Sequence, residues 1–155
     1  MIRIRRSALV GHSAAEMFDL VNEVEAYPRR FRWCSGASVL ERDGNGLTAR
    51  LDLRLAGMTH TFTTRNTWNR PERLEVRLVD GPLRSLDGVW TFAALGPAET
   101  DAGAGPPSTG CKVVLELDFD FSGRLAGKAL QLGFQGLANR LVDEFCRAAD
   151  DPRRG

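Results

Sequence analysis

The sequence predicts a single α+β domain in which a curved antiparallel sheet of six to seven strands packs on one long C-terminal helix. Three features of the 155-residue chain carry that expectation. The apolar period is 2 across most of residues 37–121, as in strands with one wet face. It changes to helical spacing over residues 123–149. The links DGNG at 43–46, AGM at 56–58, NRPE at 69–72 and DGPL at 80–83 are too short for crossover helices, so neighbouring strands run antiparallel. A chain of this size is expected to form one domain over residues 1–150 with room for a core and a cavity, followed by a disordered tail at 151–155.

Residues 2–10, IRIRRSALV, alternate Ile2 and Ile4 with Arg3 and Arg5 and read as the first strand. Ser13 with Glu16 three residues on forms an S-x-x-E capping box. Ala14, Met17, Phe18 and Val21 follow at helical spacing, which predicts a helix over 14–22. Residues 24–33 are expected as a second short helix or an irregular loop, because Pro28 is tolerated only near a helix start. Strands are expected over 37–42, 46–56, 59–69, 73–80, 85–95 and 111–121. In residues 47–55, Leu47, Ala49, Leu51, Leu53 and Leu55 face one way and Thr48, Arg50, Asp52 and Arg54 the other. Val113, Leu115, Leu117, Phe119 and Phe121 oppose Lys112, Glu116, Asp118 and Asp120 in the same manner. The Asp-Gly and Asn-Gly pairs of 43–46 are expected to supply the positive φ of a tight hairpin. Residues 96–110, GPAETDAGAGPPSTG, have no apolar period and are expected as a flexible surface loop.

The C-terminal stripe runs through Leu125, Ala129, Leu132, Leu137, Leu141 and Phe145, widened by Leu130, Phe134 and Ala138. At a rise of about 1.5 Å per residue this helix spans roughly 39 Å, enough to cross the sheet. Gly127, Gly133 and Gly136 each cost about 1 kcal/mol against Ala in a helix interior, which marks them for a kink or a close approach. A curved sheet around a single helix leaves its concave face partly filled. The expected result is an elongated apolar tunnel.

Catalytic and metal chemistry are not indicated. His12 and His60 lack H-x-x-x-H spacing and have no Cys at ligand distance. Cys34, Cys111 and Cys146 lie far apart without C-x-x-C spacing, which argues against a zinc site or a disulfide framework and for a reducing compartment. No G-x-S-x-G, G-x-x-x-x-G-K-[ST] or G-x-G-x-x-G motif occurs. A net charge of +1 gives no bulk attraction to nucleic acid, and DNA is not expected as a partner, though a local basic patch is compatible with it. The N-terminus has no apolar leader and no run of about 18 apolar residues occurs, so a cytoplasmic protein is expected.

Several segments, in order, carry a resemblance: RSALV at 6–10, MFDLVNEVEAYP at 17–28, WC at 33–34, FTTRN at 62–66, LVDGPLRSLDGVWTF at 78–92 and LELDFDFSGRL at 115–125. In these the chain resembles the START-like, helix-grip family that includes coenzyme Q-binding proteins and the ribosome association toxins, within the polyketide cyclase superfamily. The resemblance implies a sheet gripping the C-terminal helix around a hydrophobic tunnel. It implies non-catalytic binding of an isoprenoid quinone such as ubiquinone, or another lipid, in support of respiration, with peripheral contact to the inner membrane. The alternative it implies is a toxin that binds the 50S ribosomal subunit and blocks subunit association. A cyclase-like enzyme acting on a bulky aromatic substrate is a third reading, for which no inward acid–base pair is evident. The family's loop usually reads Y-P-x-F-L-P-W-C. Here Arg30 replaces an aromatic and Arg32 a proline.

The expected ligand-facing residues are Phe31 and Trp33 in the loop and Leu51, Leu53, Phe62, Asn66 and Trp68 on the middle strands. Leu78, Trp90, Phe92, Leu117 and Phe119 are expected from the later strands, and Leu130, Phe134, Leu137 and Leu141 from the helix. Arg29, Arg30 and Arg32 are expected to point outward, toward RNA or a ligand head group. No cofactor is implied beyond a bound ubiquinone or similar lipid.

Overall fold

In the computed structural model of the chain, which describes residues 1–95, 110–121 and 127–151, the capping box closes as the sequence predicts. The Glu16 backbone N–H donates to the Ser13 hydroxyl at 3.1 Å, and the Ser13 N–H donates to the Glu16 carboxylate at 3.4 Å. This starts helix α1 (Ala14–Asn22) directly after strand β1 (Ile2–Val10). A 3-10 turn (Val24–Ala26) leads into the short helix α2 (Tyr27–Arg30), with Pro28 in its first turn, where its missing N–H costs nothing.

Six further strands follow: β2 (Cys34–Asp43), β3 (Gly46–Leu55), β4 (Met58–Asn69), β5 (Arg73–Asp80), β6 (Leu83–Leu95) and β7 (Gly110–Phe121). All pair antiparallel in one sheet of order β1-β7-β6-β5-β4-β3-β2. Register shifts in β2, between β4 and β5, and near the start of β6 bend the strands in the manner of β-bulges. Helix α3 (Lys128–Asp150) lies against the sheet. The fold is α+β and helix-grip, with seven strands.

Several boundaries differ from the sequence reading for physical reasons. Strand β2 starts at Cys34 rather than 37, because the Arg54 N–H donates to the Trp33 carbonyl at 2.8 Å and carries the β2–β3 pairing back toward the loop. Helix α3 begins at Lys128, with Gly127 as its N-cap in extended conformation; residues 123–126 of the expected helix lie outside the described residues. The expected loop at 96–110 also lies outside them, apart from Gly110, which already belongs to β7. So does the expected tail, apart from Asp151.

The hairpin expectation at 43–46 needs correction. Positive φ occurs instead at Ala56 (51°) and Gly57 (80°), the two-residue connection of β3 and β4. At 43–46 the Asp43 carboxylate accepts the Asn45 N–H at 3.3 Å, a side-chain turn that needs no left-handed residue. The glycines of α3 also divide. A Cβ on Gly133 would lie 3.1 Å from Leu55 Cβ and 3.2 Å from Ala56 N, so this position lets the helix seat against the β3–β4 hairpin. Gly136 meets only the Arg140 side chain.

Aromatic packing fixes α3. Toward its N-terminus Phe134 meets Phe62, Phe119 and Phe121, with centroids 4.9–6.2 Å apart. Toward its C-terminus Phe145 meets Tyr27, Phe31, Trp33 and Trp90. Arg6 of β1 donates to the Asn139 side chain, and His12 Nε2 lies 2.7 Å from the Asp150 carboxylate, tying the helix to the sheet edge. Among the described residues, no helix is long and apolar enough to cross a membrane.

Candidate functional site

Between sheet and helix lies a cavity of about 120 Å³. The alternation of β3 and β4 puts Leu51, Leu53, Phe62, Thr64 and Asn66 on its wall, and α3 contributes Phe134, Leu137, Ala138, Leu141 and Phe145. Gly88 of β6 stands opposite Leu117, and a Cβ there would come within 2.8 Å of Leu117 Cδ1. The missing side chain leaves that stretch of wall to its neighbours.

Of the ligand-facing residues read from the sequence, Trp33, Leu51, Leu53, Phe62, Asn66, Trp90, Leu117, Phe134, Leu137 and Leu141 line this cavity. Six others do not. Phe92 and Trp68 are covered by Phe18 of α1, at centroid distances of 6.0 and 6.4 Å. Phe119 is capped by Phe121 and Phe134. Leu78 folds over the Gly81 turn, Leu130 packs into the core at the helix start, and Phe31 stacks outside the cavity against Trp33. Period 2 assigns a face to each residue but does not say whether a helix or a void covers that face.

Val24, Tyr27, Thr64, Val76, Leu86, Leu115 and Phe145 are lining residues that the sequence list missed. Phe145 and Thr64 were legible from the helical stripe and the β4 alternation. Tyr27 depends on the fold of the 24–33 segment, which the sequence left open.

Several polar groups of the lining have partners of their own. The Thr64 hydroxyl donates to Asn66 Oδ1 at 3.0 Å, the Tyr27 hydroxyl donates to the Val21 carbonyl, and Trp33 Nε1 donates to Glu144 Oε1 at 2.9 Å. Burial holds the Tyr27 phenol well above its usual range. Among the described residues, the lining contains no carboxylate, imidazole, Lys or Arg. His12 sits at the protein surface between Glu16 and Asp150. Burial also pushes the Cys34 thiol up, and its Sγ donates to the Gly36 carbonyl at 3.3 Å, the environment of an inert core thiol. Among the described residues no group of three or more metal-ligating side chains assembles.

On the other side of Trp33 the chemistry reverses. An open groove of about 540 Å³ is lined by Arg30, Arg32, Arg54, Arg140 and Arg147, with Glu144, Asp151, Phe31, Trp33 and Ala148. Arg140, Glu144, Arg147 and Asp151 fall on one face of α3 and just past its end, at steps of four, three and four. The sequence triplet Arg29, Arg30, Arg32 is split. Arg32 faces the groove, Arg29 faces a hollow shared with Asp19, Glu23, Glu25 and Arg42, and Arg30 borders both. The contributions of Arg54, Arg140 and Arg147 were not readable from the sequence, since only the fold brings β3 and α3 beside residues 30–33.

Residues 10–146 match the family described as "Polyketide cyclase / dehydrase and lipid transport". The chain is 38% identical over 146 residues to the ribosome association toxin RatA of Pseudomonas aeruginosa, covering 94% of each chain. A START superfamily protein from Mycobacterium smegmatis superposes with a TM-score of 0.75 at 17% identity, covering 96% of this chain and 97% of that one. The ZhuI aromatase/cyclase from Streptomyces sp. R1128 gives a TM-score of 0.79 at 16% identity, covering 96% and 93%. At such identities these two structures establish the shared fold.

Proposed function

The chain belongs to the polyketide cyclase / dehydrase and lipid transport family, in its ribosome association toxin branch, and from that premise we propose that it is a non-catalytic ribosome-binding regulator. In this reading it binds the large ribosomal subunit in the cytoplasm and hinders subunit joining. The observation that carries the reading is 38% identity to a ribosome association toxin along 94% of both chains. The cavity supports it indirectly. Among the described residues, its lining carries the Tyr27 phenol but no carboxylate or imidazole to pair with it.

The test is a sucrose-gradient analysis of purified 30S and 50S subunits with added protein. A dose-dependent loss of 70S particles, with the protein co-migrating with 50S, is expected. Unchanged 70S formation and no co-migration would contradict the reading.

A second reading is favoured by the cavity itself: an apolar ligand of quinone-ring type, oriented by the Thr64–Asn66 pair. At about 120 Å³ the space is near that of an engineered cavity of about 150 Å³ that admits benzene, and below the roughly 300–1,000 Å³ of ordinary ligand sites. It fits one ring and no isoprenoid tail unless Trp33 or α3 shifts. Solvent extraction and mass spectrometry of protein from its native host, with a thermal-shift titration by a short-chain quinone, tests it. A stoichiometric lipid supports the reading; no lipid and no shift removes it. Contact with a membrane surface belongs to this reading alone.

A further inference from the structure

We infer that the arginine groove is a docking surface for the sugar–phosphate backbone of RNA, an inference that rests on the ribosome-association reading and supplies its contact face. Five arginines against Glu144 and Asp151 leave the groove at a formal +3, whereas the whole chain carries only +1. The near-neutral total conceals a local field.

Many arginines elsewhere are neutralised: Arg3 by Asp118, Arg42 by Glu25, Arg65 by Asp43, Arg70 by Asp19, Arg73 by Glu75 and Arg77 by Asp87. Arg32, Arg54 and Arg140 are exposed and form no ion pair among the described residues. The Arg30 side chain is 9% exposed and bonds Glu23 through Nη2 at 2.9 Å, while Nε and Nη1 are buried without a partner among the described residues. Arg30 thus holds its charge at the wall between the groove and the acidic hollow, where it adds to the positive field of the groove.

Guanidinium forks match phosphate oxygens bidentately. The aromatic residues of the groove, Phe31 and Trp33, are buried and stacked on each other at 4.7 Å, so no ring is presented for base stacking. Contact is therefore with the backbone and independent of base sequence. The groove is also held in shape, by the Arg54 N–H on the Trp33 carbonyl and by the Trp33 indole on Glu144.

The experiment measures binding of the full chain to purified 50S particles, to deproteinised ribosomal RNA and to phosphatidylglycerol vesicles, between 50 and 200 mM salt. The variants are Arg32→Ala/Arg54→Ala/Arg140→Ala and, with equal charge loss elsewhere, Arg5→Ala/Arg84→Ala/Lys112→Ala, both checked for unchanged melting. The groove variant is expected to weaken binding to particle and RNA by at least about tenfold and to make the salt slope shallower by about 2–3. The control is expected to stay within about twofold. If the wild type binds no particle, the ribosome-association reading itself fails. If it binds and both variants fall equally, or neither falls, the groove is not the contact. Groove-dependent binding to the particle but not to RNA, with a flat salt slope, would make the partner a protein and overturn the inference. So would groove-dependent binding to vesicles alone.

Discussion

The apolar cavity and the arginine groove share Trp33 as a wall and are opposite in every other respect. Inside, the Thr64 hydroxyl bonds Asn66, the Tyr27 hydroxyl bonds the Val21 carbonyl, and no charge is present on the described lining. Outside, three guanidiniums stand without ion pairs among the described residues, and a fourth is only half satisfied. The two regions put their interaction free energy to different uses. Inner contacts are used in folding, since burial of Phe134 and Phe145 against the aromatic residues of the sheet and of the 27–33 segment is what holds α3 in place. The outer charges contribute little to stability, because exposed guanidiniums remain hydrated, and they are available to a partner.

The sharpest way to break the comparison is to remove what supports both sides. Phe145 packs on Tyr27, Phe31, Trp33 and Trp90 and is 2% exposed. Phe145→Ala is expected to cost about 3–5 kcal/mol by urea denaturation and to abolish particle binding wherever the chain unfolds. A loss below about 1 kcal/mol would mean that the aromatic cluster is not the keystone.

Trp33→Phe separates wall from latch. It keeps a ring between the regions but removes the hydrogen bond to Glu144, for an expected loss of about 1–2 kcal/mol. Gly133→Ala tests the seating of the helix. Alanine gains about 1 kcal/mol of helix propensity but places a methyl 3.1–3.2 Å from Leu55 and Ala56. A net loss of about 1 kcal/mol is expected in thermal melts, and a gain would show that the hairpin yields.

The smallest effect concerns the thiols. Burial raises Cys34, and burial with nearby Asp143 and Asp150 pushes Cys146 up to about 11. The unfolded chain releases these protons first, so stability is untouched at pH 7 and declines as pH climbs from about 8.5 toward 11. Alkylation of Cys34 at pH 8 is expected to be at least about tenfold slower in the native than in the unfolded chain. Equal rates would show that the Trp33 wall opens freely.

The sequence carried the sheet because strict alternation in β3 and β7 leaves a single register with Leu47–Leu55 and Val113–Phe121 inward. It carried α1 because the capping box is local chemistry. It could not place Trp68, Phe92 and Phe119, whose inward faces are covered by Phe18, Phe121 and Phe134 and not by a void. Nor could it assemble the groove, because Arg32, Arg54 and Arg140 lie on segments that only tertiary packing joins. The arginines of residues 29–32 looked like one patch, and Glu23, Glu25 and Asp19 divide it.

On the proposed reading the outer groove, not the cavity, carries ribosome binding. The direct measurement is 70S formation from 30S and 50S subunits in the presence of wild type, the Arg32→Ala/Arg54→Ala/Arg140→Ala variant, and Asn66→Leu, which fills the polar end of the cavity. Inhibition by wild type and by Asn66→Leu is expected, with about tenfold weaker inhibition by the groove variant. Full inhibition by the groove variant with loss in Asn66→Leu, both variants being folded, would contradict that reading.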